Sequence, residues 1–437
     1  FRYVKCEMKG STTGKLAGKR IAIKDNICIA GLPMMNGSAI LEGHIADDDA
    51  TVVQRVLNEG ATVIGKTTCE DLCFSGASYW TQKGPVRNPH NKDYSAGGSS
   101  SGCGVLVATG EADMAIGGDQ GGSVRIPASN CGIVALKPTH GLVPYTSASP
   151  IIPAVDHLGP MTKNVADCAL LLEVLAGYDD GKDYRQNPFI QVPNYSELIY
   201  PKKPLDRPIK VGVLKEGVDV CDQNVIEIFH EALIKINKKS NLFQVSTVSM
   251  PNHVNTDRLM SVLFHSGCYG AMVRGCGYGT SITGYQAPSL VQKYFEGFKN
   301  KSSEMNHVLK QLMLIGDQVN ENHGPYHYAK TSSIISRLKA EYEALFKEFD
   351  VIIMPTLNCL PCKIPSSEAP IKERITEALS MIKNTAIFDA TGHPALSLNC
   401  GFSTEMKFPV GLMVVGKLWD DLGVLNAASV MESVFDL

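Results

Sequence analysis

Two serines set among glycines could do chemistry. Ser99 lies in Tyr94-Ser95-Ala96-Gly97-Gly98-Ser99-Ser100-Ser101-Gly102, and Ser123 lies 24 positions on, in Gly117-Gly118-Asp119-Gln120-Gly121-Gly122-Ser123-Val124-Arg125-Ile126-Pro127. Glycines beside a serine let the backbone turn sharply and aim successive N–H groups at one point, as the oxyanion of an acyl-transfer intermediate requires. Either stretch alone would also suit an ordinary loop, or a phosphate cradle without its lysine. An upstream lysine shifts the balance toward catalysis. In Leu16-Ala17-Gly18-Lys19-Arg20-Ile21-Ala22-Ile23-Lys24-Asp25-Asn26, Lys24 closes an apolar, strand-like run and is therefore expected to be buried. Burial disfavours the ammonium and lets a lysine act as a base near neutrality. Lys24, Ser99 and Ser123 thus form a candidate proton relay.

The elements that must position this relay read as alternating α/β units. Helical spacing of apolar residues from Ala50 stops at Gly60, and Ala61-Thr62-Val63-Ile64 reads as a strand. Ser99 to Thr109 predicts a helix with the serines at its N-terminus, where side-chain oxygens meet free N–H groups. Asp113 to Ile116 predicts a short strand delivering the Gly-Gly-Asp loop, and Ala166 to Leu175 a helix ended by Gly177. Val225 to Ile236 and Ser332 to Phe346 have amphipathic helical patterns, whereas Val351-Ile352-Ile353-Met354 and Val410 to Val415 read as core strands. The class is α/β, a mixed twisted central sheet covered by helices on both faces. The expected organisation is a core over residues 1–214, an inserted, mainly helical subdomain over 215–348 that helps cover the site, and a return to the core over 349–437.

Lysine after a strand, Gly-Gly-Ser-Ser, then Gly-Gly-Ser-x-Arg-x-Pro resembles the amidase signature family of serine hydrolases. The likeness extends to Leu32-Pro33-Met34-Met35-Asn36-Gly37-Ser38, Glu70-Asp71-Leu72-Cys73-Phe74-Ser75-Gly76, Pro85-Val86-Arg87-Asn88-Pro89-His90-Asn91, Lys137-Pro138-Thr139 and Asp156-His157-Leu158-Gly159-Pro160, which are similar to bacterial amidases often paired with nitrile hydratases. It is dense from Lys15 to Gln186 and returns at Asp350 to Pro355 and Gly392 to Trp419. The resemblance implies that Ser123 attacks an amide carbonyl while Ser99 passes the proton to neutral Lys24 and back to the leaving amine. It also implies a cis peptide bond between Gly98 and Ser99, and oxyanion donors in the backbone N–H groups of Gln120, Gly121, Gly122 and Ser123. Asp119 and Arg125 are expected to pair and hold this turn rigid, with Ser100 in support. Phe74 is the candidate wall of the acyl pocket.

The implied reaction hydrolyses a small carboxamide to acid and ammonia, without metal or cofactor. Gln120 matters here, because threonine is the residue expected in the glutaminase subunit of a tRNA-dependent amidotransferase, the nearest rival reading. A lipid-amide or ester hydrolase of the same family is another, and an inactive homologue a third. His157 and His393 stand outside the relay and are expected to be structural.

Composition sets outer bounds. The 437 residues are 44% hydrophobic and 19% charged, with a net charge of −3, so nothing invites nucleic acid or an anionic membrane. No run of 18 apolar residues suggests a membrane span. Thirteen scattered cysteines form no disulfide framework, which favours the cytoplasm or another reducing compartment. Cys359-Leu360-Pro361-Cys362 has redox or metal spacing, but no second pair accompanies it. Asn36, Asn194 and Asn300 begin Asn-x-Ser sequons, which keep a secretory route open. Phe1 in place of methionine, with 23 residues before Lys24, predicts a processed or partial chain. Assembly as a homodimer is left open.

Overall fold

The computed structural model, described over residues 2–277, 283–366 and 368–435, is built on one eleven-stranded sheet among those residues. In chain order the strands are β1 (Arg2–Lys9), β2 (Arg20–Lys24), β3 (Thr62–Thr67), β4 (Met114–Asp119), β5 (Val134–Lys137), β6 (His157–Thr162), β7 (Ile209–Leu214), β8 (Phe243–Val248), β9 (Val351–Pro355), β10 (Ala395–Phe402) and β11 (Pro409–Gly416). Across the sheet they run β1-β3-β2-β4-β6-β5-β10-β11-β9-β7-β8. Strands β3, β2 and β4 are mutually parallel, as are β8, β7 and β9, while the strands between β4 and β9 pair antiparallel.

Side chains alternate across a strand, so a sheet covered on both faces needs apolar residues at every position. Strand β9 shows this: Val351 and Ile353 join the core on one face, Ile352 and Met354 the core on the other. Helices Thr51–Asn58, Val165–Leu175, Gln223–Asn237 and Asp421–Phe435 cover the first face. The second carries Ser101–Ala108 and Arg125–Cys131 near the site, then Thr256–Cys268, His307–His323 and Tyr326–Leu345.

Local chemistry explains where these helices begin and stop. Asn164 opens Val165–Leu175 by accepting the Asp167 N–H at 2.7 Å, a cap worth about 1 kcal/mol. Gly60 ends the unit after Thr51–Asn58 at φ +85°, where a Cβ would lie 2.8 Å from Thr13 O.

Three details were not read from the sequence. Within residues 215–348, β8 extends the sheet parallel to β7, and Gln223–Asn237 packs on β10 and the C-terminal helix. The helical cover begins only at about Pro251. Strand β1 was not anticipated, and it closes one edge by pairing antiparallel with β3. Asn36 is 1% exposed and donates to Ser149 Oγ at 3.1 Å, so the fold closes that sequon to a glycan. Among the described residues, no helix is long and apolar enough to cross a membrane.

Candidate active site

Lys24 is the last residue of β2, and its side chain is fully buried. Its Nζ lies 2.8 Å from Ser99 Oγ and donates to Gly118 O at 3.0 Å, so it bridges the two glycine-rich loops. The neighbouring Asp25 turns elsewhere, to Lys66 Nζ at 2.9 Å and the Met35 N–H at 3.0 Å. The Gly98–Ser99 peptide is cis. Helix Ser101–Ala108 starts directly after these serines, but Ser100 does not cap it. Instead Ser100 Oγ donates to Gly118 O at 3.0 Å and its N–H to Ser123 O at 3.1 Å. Ser100 therefore ties the two loops together.

Ser123 follows β4 in a turn stiffened by buried charge. Arg125 donates to both Asp119 oxygens at 3.0 Å, and through Nη2 to Asp389 Oδ2 at 2.7 Å. All three side chains are fully buried. Burial works against the Asp119 carboxylate, but Arg125 outweighs it and holds that carboxyl well below its usual range. Burial and the nearby Asp119 carboxylate push Asp389 the other way, well above its usual range. Arg125 thus sits between two buried carboxyl groups whose acidities are pushed in opposite directions.

Of the four backbone donors the resemblance implies, one is already committed. The Gly122 N–H donates to Asp119 Oδ1 at 2.5 Å. That leaves Gln120, Gly121 and Ser123, all of which line one chamber. Its apolar walls include Phe74, Ile126, Ile151, Phe264, Leu379 and Ile382. Phe74 meets Phe264 edge to face, with centroids 5.8 Å apart. No charged side chain lines the chamber among the described residues.

The structure makes one of the two side-chain contacts expected in the relay. Lys24 reaches Ser99, but among the described residues no hydrogen bond joins the Ser99 and Ser123 hydroxyls. Catalytic hydrogen bonds commonly tighten only when substrate binds. His157 and His393 lie outside this group. Burial lowers both, and their rings are occupied by Val155 O and Lys137, and by Thr391 and Glu343, respectively. Cys362 of the Cys-x-x-Cys pair takes a hydrogen bond from Tyr79 OH at 2.8 Å.

Sequence reasoning missed Phe264, Thr385, Asp389 and Cys73. Cys73 donates to Asn36 Oδ1 at 3.0 Å and borders the chamber. Burial works against its thiolate, but Cys69 and Lys24 bring the thiol down to about 7. Only Cys73 lay within a recognisable motif. The other three sit far along the chain with no spacing that links them to the serines.

Comparison with known proteins agrees with this geometry. The Amidase family profile matches residues 2–425. The chain is 41% identical to an enantioselective amidase of Rhodococcus rhodochrous, over 99% of this chain and 83% of that protein. It is 31% identical to a subunit of the glutamyl-tRNA(Gln) amidotransferase of a Picosynechococcus strain, over 97% of this chain and 85% of that one. The peptide amidase from Stenotrophomonas maltophilia superposes with a TM-score of 0.77 at 25% identity, over 97% of this chain and 84% of that one. A sheet, a lysine-serine contact and a glycine turn that fit this pattern, together with a profile match over nearly the whole length, place the chain in the amidase family.

Proposed function

We propose that Ser123 is the nucleophile of this amidase, with Ser99 and Lys24 as its proton relay. Ser123 Oγ attacks the carboxamide carbon as its proton passes to Ser99 and Ser99's proton to the Lys24 amine. The carbonyl oxygen becomes an oxyanion facing the N–H groups of Gln120, Gly121 and Ser123. On collapse the proton returns through Ser99 to the leaving nitrogen, releasing ammonia and an acyl-enzyme. Water repeats the sequence and frees the acid.

The observation that carries this reading is the fully buried Lys24 amine 2.8 Å from Ser99 Oγ, in the loop that Ser100 ties to the Ser123 turn. The substrate class follows from the walls. With aliphatic and aromatic sides and no charged lining, the chamber favours an uncharged carboxamide with a small apolar or aromatic acyl group. Glutamine, the substrate of the rival reading, would bring a carboxylate and an ammonium that find no partner there.

The deciding experiment is ammonia release from benzamide, propionamide, glutamine and a long-chain amide. Benzamide or propionamide is expected to turn over fastest, and preference for glutamine would transfer the reading to the amidotransferase subunits. Ser123→Ala should abolish turnover and labelling by a fluorophosphonate while the protein stays folded. Full activity in that variant would remove Ser123 from its role.

A further inference from the structure

We propose that Thr385 is a positioning residue for the reaction: its hydroxyl fixes the Gly121–Gly122 peptide, and through it the orientation of the oxyanion-binding N–H groups on either side. This rests on the reading of the Gln120–Ser123 turn as the oxyanion site.

The peptide between Gly121 and Gly122 is held at both polar ends. Its carbonyl accepts Thr385 Oγ1 at 2.7 Å, and its N–H donates to Asp119 Oδ1 at 2.5 Å. A planar peptide gripped at oxygen and nitrogen cannot flip without breaking both bonds. The N–H groups of Gly121 and Ser123 belong to the adjoining peptides, and both residues border the chamber.

The grip is part of a closed ring. Thr385 O accepts Arg125 Nη1 at 2.9 Å, and Arg125 Nη2 donates to Asp119 Oδ1 at 3.0 Å. From Asp119 the path returns through the Gly122 N–H to the clamped peptide and so to the Thr385 hydroxyl. Thr385 is fully buried, and its other acceptor, Ile382 O, is distant at 3.5 Å.

Gly122 shows how closely the threonine is fitted. It adopts φ +127°, and a Cβ built there would lie 2.4 Å from Thr385 Oγ1. The hydroxyl fills the space a side chain at position 122 would need. Glycine at 122 and a hydroxyl donor at 385 are thus two halves of one arrangement, although 263 positions separate them in the chain.

Valine keeps the shape of threonine but cannot donate, alanine removes both, and serine keeps the donor. The test is steady-state hydrolysis of benzamide, or of the fastest amide in the panel, by Thr385→Val, Thr385→Ala and Thr385→Ser. Val and Ala are expected to lower kcat about 10- to 100-fold, somewhat less than deletion of a whole oxyanion donor, with KM changed less than about threefold. Ser should restore most of the rate. Binding of phenylboronic acid, which forms a tetrahedral adduct, should weaken in step with kcat while benzoate binding holds. A Val variant within twofold of the parent kcat, or a Ser variant no better than Val, overturns the proposal. So does failure of both Val and Ala to fold while Ser folds, since the hydroxyl would then serve the fold alone. Ser123→Ala, run alongside, separates the two questions: turnover surviving there refutes the site assignment itself, whatever Thr385 does.

Discussion

The Gly117–Arg125 turn borders the chamber with buried polar groups, each held by a directional bond: Asp119 by Arg125, Gly122 by Asp119, Gly121 by Thr385. The helices from Thr256 to Leu345 border the same region with Phe264, and on their outer side leave Val262 at 36% and Leu314 at 72% exposure. The first region is assembled from hydrogen bonds and ion pairs, which fix atoms to within tenths of an ångström. The second depends on apolar contact, which is non-directional and tolerates change in shape. On the proposed reading, reaction geometry and much of substrate choice therefore sit on differently built parts of the molecule.

Substitutions can break that contrast. Lys24→Ala, at the end of a central strand, should lower the rate of ammonia release by about 1000-fold near pH 7, as expected for loss of a general base. A variant matching the parent across pH would show that precise placement on the sheet is not what matters. Phe264→Ala, on the helical cover, should change relative kcat/KM between benzamide and propionamide about 2- to 10-fold, the scale of one aromatic pair. Its turnover of propionamide should stay within threefold of the parent. A collapse of both rates would mean that the cover also takes part in the chemistry.

Glu70 sharpens the comparison from the loop that carries Phe74. Its Oε1 accepts Ser75 Oγ at 2.8 Å and the Trp80 N–H at 3.1 Å, while Oε2 is buried without a partner. Burial pushes its carboxyl from 4.5 up to about 8. Between those values the folded protein keeps a proton that the unfolded chain releases, so this group's contribution to stability is complete at low pH and is lost as pH rises toward 8. Glu70→Gln should therefore gain melting temperature relative to the parent as pH goes from 5 to 8, with the smallest effect on rate of the three. A constant difference across that range would show that Glu70 is ionised in the fold.

The residues of the proposed relay could be picked out because the proposed chemistry demands particular residues in particular local settings. Ser123 needs glycines before it, and Lys24 needs a strand to bury it, so both leave a pattern in a short window. The apolar run of β9 was legible for the same reason. Strand β8 was harder to see: Phe243 is buried but most of its other side chains are partly or fully exposed, as an edge strand in a helix-rich stretch allows. Thr385 and Asp389 left no local sign, because their partners Gly121 and Arg125 are more than 250 positions away. One hydroxyl and one carboxyl at such distance have no periodicity to betray them. The silent Asn36 sequon is the reverse case, a local pattern whose meaning is cancelled by burial.

The hydrogen-bonded ring around Arg125 also bears on synthesis of the protein. A nascent chain stalled before residue 380 would already contain both serines and the lysine, yet half of the ring that shapes the turn would not exist. Hydrolytic competence should accordingly appear late in translation, only once the stretch that carries Thr385 and Asp389 has left the ribosome and docked.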